Sequence, residues 1–262
     1  MLAELNFLAP MAVRPKLDIT GGGRGNLKLD ARRVELADAD SADPAPTVAS
    51  HGFGAVPFSA APPDGDLDFA YRQAFAKLCA AAVKAEIGAS VVIGVPMAVQ
   101  LRRSTGIDHE APISVSHTDF TPGLAARRAT EVLAALKTSV RPKRFAAFNT
   151  WWLARPGPQD RPLALCDATS IAAPDLQVGR ADVLTPDKAT MDYGEIAFQR
   201  HSARHRWYWY PNLAPDRLLV FCGFDSDSSR PSMVTHCAFT NPDCPPGTPP
   251  RVSVECRCFA FW

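Results

Sequence analysis

Apolar and polar positions change their spacing along this chain, dividing it into a part with helical periodicity and a part that reads as extended. Residues 66–86 are alanine-rich, with Phe69, Phe75, Leu78 and Val83 recurring at roughly helical intervals and Gly88 just beyond, a pattern that predicts one solid helix. Residues 90–100 form a valine-rich run that predicts a buried strand. Residues 124–137, after Pro122 and Gly123, have the Ala, Arg, Glu and Leu content of a second helix. Beyond Arg144 the pattern predicts strands at 145–153, 162–167, 206–210, 218–224, 234–239 and 252–261, punctuated by Pro, Gly and Asp clusters.

The first fifty residues read as loop and linker. A glycine-rich run at 21–25 and an Ala/Asp/Pro stretch at 37–46 flank residues 26–30, which alternate as a short half-buried strand would. The glycines lack the strand, helix and Lys-Ser/Thr of a phosphate loop, so a turn is the expectation there. Short helices followed by many turn-separated strands predict a mainly β fold with flanking helices, a distorted jelly roll, rather than alternating β-α-β units. We expect a single domain over 1–262: an N-terminal extension with loops (1–50), a helical buttress carrying the H-x-D segment described below (51–144) and the main jelly-roll strands (145–262).

Composition narrows the function classes. The chain has 262 residues, 47% of them hydrophobic, enough to bury a full core, and a net charge of +1 with basic residues scattered singly or in pairs. No phosphate-tracking stripe is present, so nucleic acid is not an expected partner. Residues 1–15 lack the pattern of a secretory signal and no apolar run reaches bilayer-spanning length, so no membrane partner and a cytoplasmic location are expected. The seven cysteines, an odd number without C-x-x-C pairs, are read as small apolar packing residues. Exposed apolar edges would allow a homodimer.

The candidate chemistry begins at His117-Thr118-Asp119. On an extended segment His117 and Asp119 project from one side, and a further histidine would complete a two-histidine, one-carboxylate face on Fe(II), leaving positions for a bidentate 2-oxo acid and dioxygen. That histidine must come from His51, His109, His201, His205 or His236. His236 sits in an apolar strand-like setting, whereas His205 opens the aromatic run His205-Arg206-Trp207-Tyr208-Trp209-Tyr210. On the last strand Arg251, Ser253, Glu255 and Arg257 share one face, opposite Val252, Val254, Cys256 and Cys258. A doubly basic face suits a buried carboxylate, with Arg251 and Ser253 the first choice for a 2-oxoglutarate site and Arg257 the second. Phe120, Trp151, Trp207, Trp209 and Arg230 are the residues expected to shape a pocket for a small-molecule substrate.

Several ordered stretches now add a resemblance. They are His51-Gly52-Phe53, Ser116-His117-Thr118-Asp119-Phe120-Thr121, Phe148-Asn149-Thr150-Trp151, Pro162-Leu163-Ala164-Leu165-Cys166-Asp167, His205 to Pro211, Phe224-Asp225-Ser226, His236-Cys237-Ala238-Phe239 and Pro250 to Arg257. From about Asn26 onward the chain resembles the branch of Fe(II)/2-oxoglutarate-dependent oxygenases that includes the cephamycin C-7 hydroxylase component and fungal gibberellin desaturase-like enzymes. The resemblance implies a double-stranded β-helix (jelly roll, cupin-like) core, iron on His117, Asp119 and His236, and 2-oxoglutarate on Arg251 and Ser253. It also implies oxidative decarboxylation of the cosubstrate coupled to hydroxylation or desaturation of a small organic metabolite, in secondary-metabolite biosynthesis. One departure stands out: the family commonly reads Asn-x-Trp-Arg-Pro where this chain has Asn149-Thr150-Trp151-Trp152-Leu153, so an indole replaces a cation and a change in substrate polarity is expected. The competing readings are a metal-dependent isomerase or hydrolase and a non-catalytic jelly-roll binding protein.

Overall fold

The computed structural model describes residues 1–19, 24–104, 110–137, 141–184 and 190–262; the glycines at 21–23 and the candidate ligand His109 lie outside the described residues. In chain order the elements are β1 (Leu2–Leu8), β2 (Lys16–Asp18), β3 (Arg24–Gly25), β4 (Leu29–Asp38), α1 (Val48–His51), β5 (Phe53–Pro57), α2 (Phe69–Ile87), β6 (Val91–Gly94), β7 (Gln100–Arg103), β8 (His117–Thr118) and α3 (Pro122–Ala135). They continue with β9 (Phe145–Leu153), β10 (Leu163–Cys166), β11 (Leu176–Leu184), β12 (Thr190–Gln199), β13 (Trp207–Trp209), β14 (Arg217–Asp225), β15 (His236–Ala238) and β16 (Val252–Phe261).

Capping chemistry sets the two long helices. The Asp68 carboxylate accepts from the Tyr71 N–H at 2.7 Å, which starts α2 later than the alanine content suggests, and Gly88 in the left-handed conformation ends it. α3 begins at Pro122 rather than 124. Thr121 is its cap, accepting from the Leu124 N–H at 3.2 Å, and a proline in the first turn lacks only an N–H that would have no helical partner.

The strands form two sheets. One has the order β5-β14-β9-β16-β6, with β7 pairing further along β16; the other runs β1-β4-β13-β10-β15-β8-β12-β11-β2-β3. Trp151, Leu153, Leu219 and Phe221 of the first pack against Leu163 and Leu165 of the second, giving the expected jelly-roll core. Because strand side chains alternate, the residues between them in β9, β14 and β16 face the other way. Phe148, Trp152, Val220, Val254, Cys256 and Cys258 bury Phe75, Cys79 and Val83 of α2, so this helix buttresses the back of the smaller sheet. The cysteines described there are free and buried.

The N-terminal fifty residues differ from expectation. β1 and β4 pair in register from Leu2↔Glu35 to Leu8↔Leu29, and β4 continues the larger sheet by pairing in parallel with β13. Charges hid β4: in Leu29–Asp38 only Leu36 is buried, so the segment lacks the alternating apolar face that announces a strand. The hairpin of β11 and β12 was likewise not expected. The run at 90–100 is broken into β6 and β7 by a 3₁₀ turn over Pro96–Ala98, where proline cannot donate to a ladder. Phe75→Ala, which empties the α2 seat against Phe58 and Trp152, is expected to cost about 3–5 kcal/mol in a guanidinium melt; a loss under about 1 kcal/mol would mean that α2 does not hold the sheet.

Candidate metal centre

One cross-strand pair creates the site. β8 and β15 run antiparallel with His236 directly opposite His117, and both rings project into the interior with centroids 4.4 Å apart. Asp119, one residue past β8, turns its Oδ1 to 3.7 Å from His117 Nε2. One ligand atom from each of His117, Asp119 and His236 lies within 4.8 Å of the others. The remaining described histidines go elsewhere. His205 pairs with Asp175 at 3.1 Å, His51 lies 3.8 Å from Asp167, and His201 packs edge-on against Phe7.

The electrostatics set these three groups in metal-binding form. His117 Nδ1 lies 2.8 Å from the Val115 carbonyl, which can only accept, so Nδ1 carries the proton and Nε2 keeps its lone pair for the site. Burial pushes His117 down, and pushes His236 down to about 3 with the neighbouring His117 adding to the effect and Asp119 opposing it. For Asp119 burial acts upward, but Arg257 at 3.1 Å and the two imidazoles outweigh it and hold the carboxyl well below the usual carboxylate range. Two neutral imidazoles and an ionised carboxylate are the states a divalent first-row ion requires.

Along β16 the same inward face changes character. Arg257 reaches Asp119; toward the start of the strand, Arg251 and Ser253 are buried. Arg251 donates through Nη1 to the Arg161 carbonyl at 2.5 Å and lies 5.2 Å over the Trp151 ring, yet its Nε and the Ser253 hydroxyl have no partner. Burial pushes Arg251 down to about 10, with Glu255 pulling it back and Arg102 adding to the fall. Such a cationic, incompletely bonded end fits a carboxylate. In the opposite direction along β16, Phe259 meets Phe120 and α3 around a cavity of about 330 Å³, with Asp119 and Arg257 in its wall and Leu124, Val132 and Ala135 among its apolar lining. Phe120 fits there because Gly223, at the bulge of β14, has no side chain; a Cβ would lie 2.5 Å from its ring.

Three of the expected pocket residues are not at the site. Trp207 and Trp209 pack with Leu5, Phe7, Leu36 and Cys237 on the face of the larger sheet turned away from His236, because odd positions of β13 point outward. Arg230 is exposed in a loop, 3.8 Å from Asp227. Trp152, where an indole stands for the family's arginine, also points away: it packs under α2 and donates to the Pro215 carbonyl at 2.7 Å, so it does not change the polarity of the interior. Two inward residues escaped the sequence reading. The Asn149 carboxamide is buried with both polar atoms unpartnered, and the Phe221 ring packs 4.7 Å from His236. Asn149 was legible in principle, as the polar position in the inward register of an apolar strand.

Comparison with known proteins agrees with this geometry. The Fe(II)/2-oxoglutarate-dependent dioxygenase nvfI of Aspergillus novofumigatus is 27% identical over 199 residues, covering 69% of this chain and 68% of its own length. The alpha-ketoglutarate-dependent dioxygenase tstK of Talaromyces stipitatus is 31% identical over 166 residues, covering 60% of this chain and 55% of that relative. The solved structure of a single-substitution variant of the iron and alpha-ketoglutarate-dependent endoperoxidase NvfI superposes with a TM-score of 0.82 at 26% identity, over 100% of this chain and 97% of that one. Residues 5–261 match the profile of the family described as oxidoreductase/YMDC permease-like domain, and the chain belongs to that family, among the NvfI-like Fe(II)/2-oxoglutarate-dependent oxygenases. No helix among the described residues is long and apolar enough to cross a membrane.

The Asp119–Arg257 pair gives a signed pH effect. In the fold the ionised carboxylate is favoured, a stabilisation present above the ordinary carboxylate range and lost as pH falls through the depressed value. In metal-free Arg257→Met the burial effect prevails and Asp119 rises, so the variant should be less stable than wild type by about 3–5 kcal/mol at neutral pH. That deficit should shrink as the pH is lowered. Parallel melts at neutral and acid pH showing a constant deficit would remove the pair from the account.

Proposed function

We propose that His117, Asp119 and His236 hold one Fe(II), that Arg251 and Ser253 receive the distal carboxylate of 2-oxoglutarate, and that a small organic metabolite enters the cavity beside Phe120 and Phe259. The observation that carries this reading is the buried Arg251 with an unpartnered Nε beside the unpartnered Ser253 hydroxyl, on the same face of β16 as the Arg257 that grips Asp119. A buried guanidinium whose Nε–H is left unmet and whose charge has no anion beside it is expensive, and a carboxylate supplies the matching fork. The donor set supports iron: two imidazoles and a carboxylate from one side suit Fe(II) and leave positions open.

When bound, the ion and 2-oxoglutarate supply the oxidising power, through dioxygen and loss of carbon dioxide from the cosubstrate, to hydroxylate or desaturate the substrate. The chain's own residues arrange this chemistry. Arg257 keeps Asp119 ionised and aimed, and the Val115 carbonyl fixes the tautomer of His117. Trp151 walls the cosubstrate end through its contact with Arg251, and Phe120, Phe259 and the α3 side chains keep water from the substrate end. Asn149, facing Arg257 across the β9–β16 pair, is placed to hydrogen-bond a polar atom of the bound ligands. We place this activity in the cytoplasm, in the biosynthesis of a secondary metabolite.

Anaerobic titration of metal-free protein with Fe(II) and then 2-oxoglutarate should develop the visible metal-to-ligand charge-transfer band in wild type and none in His236→Ala. Arg251→Met should still bind the metal but need at least about 30-fold more 2-oxoglutarate, the lower end of what truncating a buried charge contact costs. Metal binding without the band in wild type would reject the cosubstrate assignment. Val132→Trp, which fills the substrate cavity, should leave the band intact and abolish substrate-stimulated succinate release. Stimulation equal to wild type would put the substrate elsewhere.

A further inference from the structure

The two histidine strands are weakly joined. β8 has two residues and β15 three, and a single register pair, His236↔His117, connects them. One further backbone bond, from the Ala238 N–H to the Ile113 carbonyl at 2.8 Å, joins the two segments, and a ladder that short leaves the spacing of the rings dependent on side-chain contacts as well.

Gln199, the last residue of β12, is fully buried behind this pair. Its side-chain Oε1 accepts from the Ser116 hydroxyl at 2.7 Å and from the Thr235 hydroxyl at 2.7 Å. Ser116 immediately precedes His117, and Thr235 immediately precedes His236. The Gln199 backbone N–H adds a bond to the Ser116 carbonyl at 3.0 Å. On its other side the carboxamide nitrogen lies 3.3 Å from the His205 ring and 3.7 Å from Cys166 Sγ, and His205 continues to Asp175, which is held by Arg204 at 2.6 Å. The amide is thus fixed from both sides: hydroxyls on the oxygen, an anchored imidazole and a thiol on the nitrogen.

We infer that Gln199 is the positioning residue of the metal centre, its one carboxamide oxygen tying together the residues that precede His117 and His236. The inference rests on the reading of those histidines as metal ligands. Strand alternation explains why the tie works: Ser116 and Thr235 point to the opposite side of the sheet from the histidines that follow them, so a bond between them on the back fixes the separation of the rings on the front. His205, a rival for the ligand role in the sequence, has a place in this arrangement as the group that orients the amide.

The test uses Co(II) as the probe on metal-free full-length protein, because its visible spectrum reports coordination geometry without turnover. Gln199→Leu should raise the Co(II) dissociation constant by about 10–100-fold, the usual consequence of removing a group that orients a metal ligand, and shift the d–d bands. Thr235→Val, which removes one of the two bonds with little change in shape, should do part of the same. If the hydroxyl and the amide act as one unit, Gln199→Leu/Thr235→Val should be no weaker than Gln199→Leu alone. Lowered stability alone would leave the band positions of the cobalt-saturated protein unchanged. Wild-type bands and affinity in Thr235→Val, or in a folded Gln199→Leu, overturn the inference by themselves. A wild type that gives no Co(II) spectrum overturns the metal assignment and the inference with it.

Discussion

The antiparallel register that sets His236 opposite His117 is the constraint on which the site depends. Shifting β15 by one residue would carry Cys237 into the interior and send His236 to the outer face among Phe7, Trp207 and Phe239. A slip is opposed from both faces. Cys237 and Phe239 are buried on one side, Val234 and the His236 ring on the other, and β10 pairs with the full length of β15 from Leu163↔Ala238 to Leu165↔His236. The register of His236 is thus set by the apolar Val234, Cys237 and Phe239 and by the pairing of β15 with β10.

β16 shows the same economy on a larger scale. One face, Val254, Cys256, Cys258 and Ala260, is part of the α2 buttress, and burial beneath that helix explains why the thiols are small packing groups. The other face orders three kinds of chemistry along the strand: Arg251 and Ser253, then Arg257 against Asp119, then Phe259 in the cavity wall. At about 3.3 Å per residue these positions extend over roughly 26 Å, room in a row for the proposed cosubstrate, metal and substrate edge. The strand's alternation therefore separates stability from function, and most changes on the α2 side should leave the interior face alone.

How much of this was legible in the sequence depends on how each segment is buried. β9 and β16 occupy the residues expected for them, 145–153 and 252–261: β9 is a central strand buried on both faces and reads as a mostly apolar run bounded by turns, and β16 alternates an apolar face with a polar one. The polar face of β16 was equally plain, since Arg251, Ser253, Glu255 and Arg257 repeat at period two. β4 was missed because its exposed positions are charged, and β1 because Ala3, Leu5 and Phe7 make too short an alternation to stand out. Trp207 and Trp209 misled for a different reason. An aromatic run has the same composition whether it lines a pocket or fills a core, and only the pairing of β13 with β4 and β10 decides which side receives it. Gln199 carried no local signal, because its role depends on two hydroxyls brought to it by tertiary structure.

Burial of polar groups without partners is what most sharply separates this interior from an ordinary core. A buried donor or acceptor left unmade costs about 1–3 kcal/mol, and here Asn149, the Arg251 Nε and the Ser253 hydroxyl are all so placed within the inward faces of β9 and β16. A fold selected for stability alone would replace them with apolar residues, such as Phe148, Trp152 and Val254 on the α2 side of the same strands. By contrast the polar groups around Gln199 are paired, and so are Asp119 and Arg257. On these two strands the unmet demand lies on the face turned toward the larger sheet and away from α2. Such a distribution belongs to a site whose partners arrive from solution: binding an anion at Arg251 would complete its hydrogen bonding and stabilise the fold through mass action.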